Sequence, residues 1–559
     1  MSSQLYNLMR GGLGMLFLVA VCYLLSNNRR AIDWKLVLMG IFAQVMFAMG
    51  VLNTQFASQP VFWLVFGIIV IYVAGKRVQK KLSTAVPVTI PPDASPTPVS
   101  LSPDVISILL AVLSLAVFFF GIIRSSAFAL PKLSITITIG ILWLLIWIQY
   151  KRNSIETIKW AILGACLLLC IAVYTQLCPP SIFRMVLESV SSSFVELINI
   201  SHKGTEFIFG KLADPTGNWA YIFGVQVLPN IIFFAALSSI LYYMGILQKV
   251  VYVFAYLLNK LNISGAESVS TAANIFLGQT EAPLMIRPYL EKMTRTEILC
   301  IMVGGMANTA GSVMAAYVGM LGGADPAQQN YFALHMLSQS IMSAPAAIVC
   351  SKILFPQAHG ELLSKNLHVP KEKLGDNFLD ALSLGTTDGL KLAVNVGAML
   401  IVFTAMMYVG NALLGWFGGI TDLNHYIVTA TGGRYEELSL QMILGYIFAP
   451  VAWMIGVAKE DMVSIGQLLG EKTILNEFIA YISLGQMKAN NVIQDPKSIL
   501  IATYALCGFA NFASIGIQIG GISQLAPNQR KNLTELGVKA LIGGTIACLM
   551  CGCIAGALS

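Results

Sequence analysis

Gly305-Met-Ala-Asn308-Thr-Ala-Gly-Ser312 returns later in the chain as Gly508-Phe-Ala-Asn511-Phe-Ala-Ser514-Ile515, and both copies lie in hydrophobic sequence. Each follows an acidic residue set in its own apolar segment: Glu281 in Gly278-Gln-Thr-Glu281, and Glu477 in Asn476-Glu-Phe478. Glycine-interrupted segments at corresponding points of two halves are a pointer to the midplane binding site of a secondary transporter. A carboxylate at membrane depth is costly unless it faces a cavity or a partner, so two of them argue for use. The pattern predicts an all-α polytopic membrane protein that carries a polar solute.

Composition agrees. Hydrophobic residues make up 56% of 559 positions and charged residues 11%, against about 25% charged in soluble domains. Apolar runs long enough to span recur along nearly the whole length, which implies one polytopic unit. The net charge of +7 resides in Lys and Arg clusters between apolar runs. No basic stripe with interleaved aromatics accompanies it, so no nucleic-acid partner is expected. Cys548-Leu-Met-Cys551-Gly-Cys553 has metal-like spacing. It lies in the last apolar run with no His or carboxylate nearby, and reads as small residues packed between helices. The first apolar run, residues 13–25, lacks a cleavage site and is read as a retained span, not a signal peptide.

Along the chain, spans are expected near residues 12–26, 36–52, 62–74, 105–123, 135–149 and 158–175. Residues 83–103 hold six prolines and read as an extended linker. Arg29-Arg30, the Lys76–Lys81 run and Lys151-Arg152 fall on one side if the spans alternate, which places the N-terminus outside. Residues 190–212 and 250–261 suit interfacial helices, with a span at 227–246 between them. Residues 264–277 and 281–290 are each too short to cross and are separated by Gly278, as in a re-entrant hairpin. Residues 300–321 carry the first repeat. Spans follow at 334–354 and 390–417, separated by a basic loop at 352–373. Residues 438–469 and 472–484 form a second hairpin, with breaks expected at Pro450, Gly456 and Gly470. Residues 498–522 carry the second repeat, and 536–558 the last span. The total is about twelve transmembrane helices, two re-entrant hairpins, interfacial helices and pseudo-symmetric repeats. The domains are 1–53, an N-terminal two-helix scaffold; 54–190, a block of about four spans; 191–262, scaffold and interfacial helices; and 263–559, the transport core.

Gln279, Thr280 and Glu281 gather an amide, a hydroxyl and a carboxylate at the first hairpin tip, a set suited to the edge of a heterocyclic base. The structural alternative is an ion pair of Glu281 with Arg287 or Lys292. Glu477 suits a vicinal diol, since a carboxylate accepts from two adjacent hydroxyls; its alternative is a salt bridge to Lys472. Asn308 and Asn511 lie at glycine-rich breaks, where freed carbonyls and side-chain oxygens bind a dehydrated cation or a sugar hydroxyl. Ser312 and Ser514 follow on the same face, and close helix packing is the competing reading. Phe509 offers a ring to a base or to packing. No Walker loop is present, so ATP-driven pumping has no support.

Five segments resemble the concentrative nucleoside transporters: Asn274-Ile-Phe-Leu-Gly-Gln-Thr-Glu281, Ala307-Asn-Thr-Ala-Gly-Ser-Val313, Asp388-Gly-Leu-Lys-Leu-Ala-Val-Asn395, Gly470-Glu-Lys-Thr-Ile-Leu-Asn-Glu-Phe-Ile-Ala-Tyr481 and Cys507-Gly-Phe-Ala-Asn-Phe-Ala-Ser514. The likeness covers residues 1–53 loosely and 191–559 well. It implies a homotrimer in the cytoplasmic (inner) membrane that imports nucleosides by alternating access, and no enzyme. It implies that the base lies against Gln279, Thr280, Glu281 and Val313, with Phe509 beside it, and the ribose against Glu477, Asn511 and Ser514. It implies a sodium ion at Asn274, the Leu277 carbonyl, Asn308 and the Thr309 carbonyl, and no cofactor beyond that ion. The chain departs from the family pattern in two places. Asn308 and Thr309 stand where the family has Ser or Thr and an aliphatic residue, which leaves a proton as the alternative ion. The 54–190 block is absent from the smallest bacterial members. The competing classes are an intramembrane hydrolase and a hairpin-type carrier of another small polar solute, such as an amino acid or dicarboxylate. The latter calls for a cation at the site, and neither hairpin tip nor either Asn cluster carries one.

Overall fold

The computed structural model describes residues 3–52, 179–214, 222–323, 325–357 and 375–559. The spans expected at 62–74, 105–123, 135–149 and 158–175, the proline-rich linker, the basic runs at Lys76–Lys81 and Lys151-Arg152, and most of the 352–373 loop lie outside those residues. The described residues are helical throughout, without strands. In order they form α1 (Ser3–Leu24), α2 (Trp34–Leu52), α3 (Pro179–Phe209), α4 (Phe223–Gln226), α5 (Leu228–Tyr243), α6 (Ile246–Leu258), α7 (Gly265–Ala273), α8 (Arg287–Leu290), α9 (Arg295–Ala307) and α10 (Gly311–Gly322). There follow α11 (Pro326–Leu354), α12 (Phe378–Ile420), α13 (Leu423–Thr431), α14 (Leu440–Met454), α15 (Met462–Ile474), α16 (Glu477–Ala489), α17 (Pro496–Leu506), α18 (Phe512–Leu525) and α19 (Arg530–Leu558). Six stretches among them are long and apolar enough to cross a membrane. Residues Met1–Ala48 with Leu187–Ser559 form one compact unit and Met49–Val186 another. In the second, Arg184 Nη1 donates to the Val51 carbonyl at 3.0 Å.

The buried centre of the larger unit is α19, which packs on α1, α9, α11, α17 and α18. Its cysteines Cys548, Cys551 and Cys553 are buried and free, and no group of three or more metal-ligating residues occurs among the described residues. Small residues let neighbouring backbones approach where lipid gives no hydrophobic drive between helices. On α12, Ala381, Gly385, Gly389 and Ala393 recur every fourth residue and are its buried stripe. A Cβ at Gly385 would meet Ala236 Cα of α5 at 2.8 Å, and one at Gly389 would meet Ile232 Cα at 2.8 Å. Ser239 Oγ of α5 also donates to the Ala381 carbonyl at 2.7 Å.

Several boundaries differ from the sequence reading, each for a local reason. Helix α12 runs for 43 residues, about 65 Å, where a span of 390–417 was expected; Asp380 and Asp388 lower the hydropathy of a helical extension that Asn377 caps by accepting from Asp380 N at 3.0 Å. Helix α3 begins at Pro179 and not near 190, with Leu187, Ser191, Val195 and Ile198 on its buried face. The second hairpin is α15–α16 and turns at Leu475-Asn476. Gly470 lies inside α15, where a Cβ would meet Leu444 Cβ at 2.5 Å, so it serves close packing against α14. Pro450 lies inside α14; of the three expected breaks only Gly456, at φ +110°, is one. The short helix α13 had no counterpart in the sequence reading.

The base of the first hairpin is pinned by a buried ion pair. Ser264 and Glu267 form a capping box at the start of α7, and the other oxygen of Glu267 meets Lys352 Nζ of α11 at 2.5 Å. Removing one member of a buried pair leaves an uncompensated charge and costs about 3–5 kcal/mol. Lys352→Met is expected to lower the thermal unfolding midpoint of detergent-solubilised protein sharply, and the double variant with Glu267→Gln to regain most of it. An unshifted midpoint in the single variant contradicts this.

Candidate functional site

Both repeats are helices interrupted at depth. Helix α9 stops at Ala307, three residues run outside helical structure, and α10 starts at Gly311; α17 stops at Leu506 and α18 starts at Phe512. Asn308 (φ −114°, ψ 164°) and Asn511 (φ −144°, ψ 166°) are both extended. Their places in the breaks are not equivalent. Asn308 ends the first half-helix, whereas Asn511 begins the second, its Oδ1 accepting from Ser514 N at 2.8 Å. Counted from the helix starts, Ser514 corresponds to Val313 and not to Ser312. The matching letters in the sequence are thus out of register in space.

A break leaves terminal carbonyls without helical partners, and lipid depth supplies no water to them. One side chain meets both sets. Gln339 Nε2 of α11 donates to the Ala307 carbonyl at 3.2 Å and the Cys507 carbonyl at 2.7 Å. Cys548 Sγ of α19 faces the same two oxygens at 3.5 and 3.3 Å. Phe509 N donates to the Asn308 carbonyl at 3.3 Å, joining the breaks directly. Gly508, at φ +149°, lies where a Cβ would meet Ala307 O at 2.8 Å and Met306 O at 2.9 Å.

The two hairpins bring their polar residues to these breaks. At the first tip the chain turns with Gly278 N donating to Glu281 Oε2 at 3.2 Å. Glu281 is exposed and Thr280 half-buried, while Gln279 is buried. No ion pair joins Glu281 to Arg287 or Lys292 among the described residues. Gln279 Nε2 donates to Ser514 Oγ at 3.2 Å. At the second tip Asn476 caps α16, accepting from Ile479 N at 3.0 Å, so Glu477 occupies the first helical position, where the helix dipole favours a negative charge. Asn511 Nδ2 donates to Glu477 Oε2 at 2.7 Å and Tyr317 OH to Glu477 Oε1 at 3.1 Å. Hydrogen bonds therefore run from Gln279 through Ser514 and Asn511 to Glu477, and Glu281 stands two residues from Gln279 in the same turn. Val313 is buried one turn before Tyr317 on α10. Phe509 stands half-buried in the second break.

Asn274 ends α7, and both amide atoms are buried without a hydrogen-bond partner. A Cβ on Gly304 of α9 would stand 3.2 Å from its Nδ2. Gly311 N donates to the Phe276 carbonyl at 3.1 Å, fastening the first tip to the first break. Among the described residues the Leu277 and Thr309 carbonyls accept no hydrogen bond. Asn308 Oδ1 accepts from Ser343 Oγ at 2.5 Å, and that hydroxyl also lies 2.9 Å from the Ser340 carbonyl. Unpaired buried amide and carbonyl oxygens are costly; a set of hard oxygen donors with open lone pairs fits a dehydrated monovalent cation.

The sequence reading missed three participants. Gln339 and Ser343 are polar groups inside an apolar span, and Tyr317 carries the one hydroxyl of α10 beyond Ser312; these were the available signals. Lys472 is the residue that the sequence reading weighed as a salt-bridge partner of Glu477. It is buried in the last turn of α15, donates to the Ala505 carbonyl at 2.9 Å and is near enough for its charge to act on Glu477. It forms no salt bridge with that carboxylate among the described residues, whose oxygens are taken by Tyr317 and Asn511.

Comparison with known proteins places these halves in context. Family profiles described as Na+ dependent nucleoside transporter N-terminus, nucleoside recognition, and Na+ dependent nucleoside transporter C-terminus match residues 13–82, 224–324 and 335–556. An uncharacterized transporter of Haemophilus influenzae is 41% identical over 381 residues, 67% of this chain and 85% of that protein. Sodium/nucleoside cotransporter 1 of Rattus norvegicus is 38% identical over 376 residues, 65% of this chain and 54% of that protein. Solute carrier family 28 member 3 of Mus musculus is 38% identical over 64% of this chain and 49% of that protein. The chain thus spans about half the length of these mammalian relatives. A solved structure of CNTnw in an inward-facing substrate-bound state superposes with a TM-score of 0.68 at 28% identity, covering 99% of this chain and 98% of that one. A second, in an outward-facing state, gives 0.66 at 27% identity, covering 99% and 97%.

Gly508→Ala should cost about 1–3 kcal/mol through overpacking against buried carbonyls, seen as a lower unfolding midpoint. Gly516→Ala, on an open face of α18 with nothing within 4 Å of the added carbon, should leave the midpoint unchanged or raise it. Equal midpoints for the two variants contradict the assignment.

Proposed function

Because the chain belongs to the Na+ dependent nucleoside transporter family, we propose that it is a cation-coupled symporter importing nucleosides across the cytoplasmic (inner) membrane by alternating access. The observation that carries this reading is the run of hydrogen bonds from Gln279, in the Glu281 turn, to Glu477 across both hairpins and the second break. Such a network presents both a base-reading and a diol-binding group to one solute. Gln279, Thr280 and Glu281, with Val313 and Phe509, take the nucleobase. Glu477, Asn511 and Ser514 take the ribose, the carboxylate accepting from its vicinal hydroxyls.

The coupling ion is cargo. Asn274, the Leu277 carbonyl, Asn308 and the Thr309 carbonyl form its site, with sodium preferred to a proton because every donor is a neutral oxygen. Ser343 completes the arrangement by turning its proton from Asn308 to the Ser340 carbonyl, which frees the amide oxygen for the ion. Because Phe276, next to Leu277, is hydrogen-bonded to the first break, ion binding orders the tip that also bears Gln279 and Glu281. One monovalent cation entering across about 100 mV releases about 2.3 kcal/mol, and a tenfold ion gradient adds about 1.4 kcal/mol. Together these support an accumulation of several hundred-fold. The protein acts as a lipid-embedded homotrimer with one site per protomer, and it performs no chemistry on its solute.

In proteoliposomes, labelled uridine is expected to accumulate in sodium buffer and not in choline, and to be recovered unchanged; a hydrolysed product would point to an enzyme. Glu477→Gln should cut uptake about 100-fold, since each hydrogen bond to a charged group contributes about 1.5–3 kcal/mol, without loss of expression. Wild-type uptake in that variant would refute the diol-binding role.

A further inference from the structure

Tyr317 lies in the middle of α10, fully buried, in a position that the base and ribose contacts above do not use. Its ring is stacked on Tyr481 at 4.3 Å and 22° and stands edge-on to Phe478 at 5.0 Å. Both partners belong to α16, the helix that begins with Glu477, and Tyr481 is one turn from the carboxylate on the same face. Tyr481 is itself fixed, its OH donating to the Thr503 carbonyl at 2.8 Å. The ring of Tyr317 therefore has no freedom to swing, and its single hydroxyl proton is directed to Glu477 Oε1 at 3.1 Å. The other oxygen takes Asn511 Nδ2 at 2.7 Å.

From this geometry we infer that Tyr317 is the positioning residue that sets the sugar specificity of the site, holding the Glu477 carboxylate so that it accepts from both hydroxyls of a ribose and discriminates against sugars lacking one of them. A carboxylate offers about four lone-pair directions. With one donor fixed on each oxygen, the carboxylate plane cannot rotate, and each oxygen keeps an acceptor direction for a further donor. Two adjacent hydroxyls satisfy that pair of directions together; one hydroxyl leaves a buried, half-satisfied oxygen, the kind of mismatch by which polar sites reject an analogue. Without the Tyr317 proton the carboxylate pivots about its Asn511 contact and meets a single hydroxyl as readily as two. Asn511 reaches only the other oxygen through its Nδ2, and its Oδ1, an acceptor, is held by the Ser514 amide.

The inference rests on the nucleoside reading above and is tested in reconstituted full-length protein by the uptake of uridine and 2′-deoxyuridine, comparing Tyr317→Phe with Tyr317→Leu. Tyr317→Phe keeps the stacked ring and removes only the donor. The expected result is a roughly tenfold fall in the uridine to 2′-deoxyuridine efficiency ratio, the size of one hydrogen bond. It should appear as a higher KM for uridine at unchanged maximal rate, with the uridine to cytidine ratio and the unfolding midpoint as in the wild type. A merely structural role predicts instead that the phenylalanine variant matches the wild type in sugar ratio while the leucine variant, which also loses the stack, is impaired for every substrate alike. A wild-type sugar ratio in Tyr317→Phe overturns the inference and leaves the nucleoside reading intact. A wild-type protein that takes up no nucleoside, or takes up both sugars equally, overturns the diol-binding reading and the inference with it.

Discussion

Two helices end in the interior of this protein, and the carbonyls at their ends have no water to turn to. An unpaired carbonyl at such depth costs several kcal/mol, so a protein that interrupts its helices must supply donors from elsewhere. Here Gln339 and Cys548 meet the ends of α9 and α17 together, and the Phe509 amide ties the one break to the other. Gly508 is required at that crossing because a side chain would enter the space of the carbonyls themselves. Irregular backbone becomes tolerable at the middle of the unit only because these few groups converge on it, and Asn308 and Asn511 stand on that irregular backbone.

The same logic governs the carboxylates. Glu477 is buried, yet its two oxygens accept from Asn511 and Tyr317, it begins a helix, and the Lys472 charge lies close by. Each of these lowers the cost of keeping a negative charge in the membrane interior. Glu281, by contrast, is exposed and is held by the Gly278 amide in its own turn. The site thus presents one carboxylate with a side-chain donor fixed on each oxygen and one that stands open at a hairpin tip. That asymmetry suits a solute with a rigid diol at one end and a flat hydrogen-bonding edge at the other. The first hairpin carries Asn274, whose buried amide has no hydrogen-bond partner, together with Gln279 and Glu281, while its far end is anchored through Glu267 to Lys352.

Amphipathic periodicity, glycine breaks and intramembrane carboxylates are local features, and they made the helical class, the two hairpins, the broken helices and the residues Gln279, Glu281, Glu477, Asn511 and Ser514 legible in the sequence. Local rules failed where packing decided. Gly470 looks like a helix break and is a contact point for Leu444; the long helix from Phe378 looks like a shorter span because its charged first turns face outward. The near-repeat of Gly-x-Ala-Asn was right in announcing two interruptions and wrong in register, because identical letters fall on opposite sides of their breaks.

By itself the sequence determined that this chain must live in a membrane, must interrupt its helices in two places and must bury acids there, since these follow from hydropathy and from the backbone preferences of Gly and Asn. Only the tertiary structure decided which donors reach those acids and carbonyls. Tyr317 meets Glu477 across 160 positions and Gln339 meets Cys507 across 168. Partnerships at that separation are set by how helices pack against one another, and no spacing along the chain encodes them.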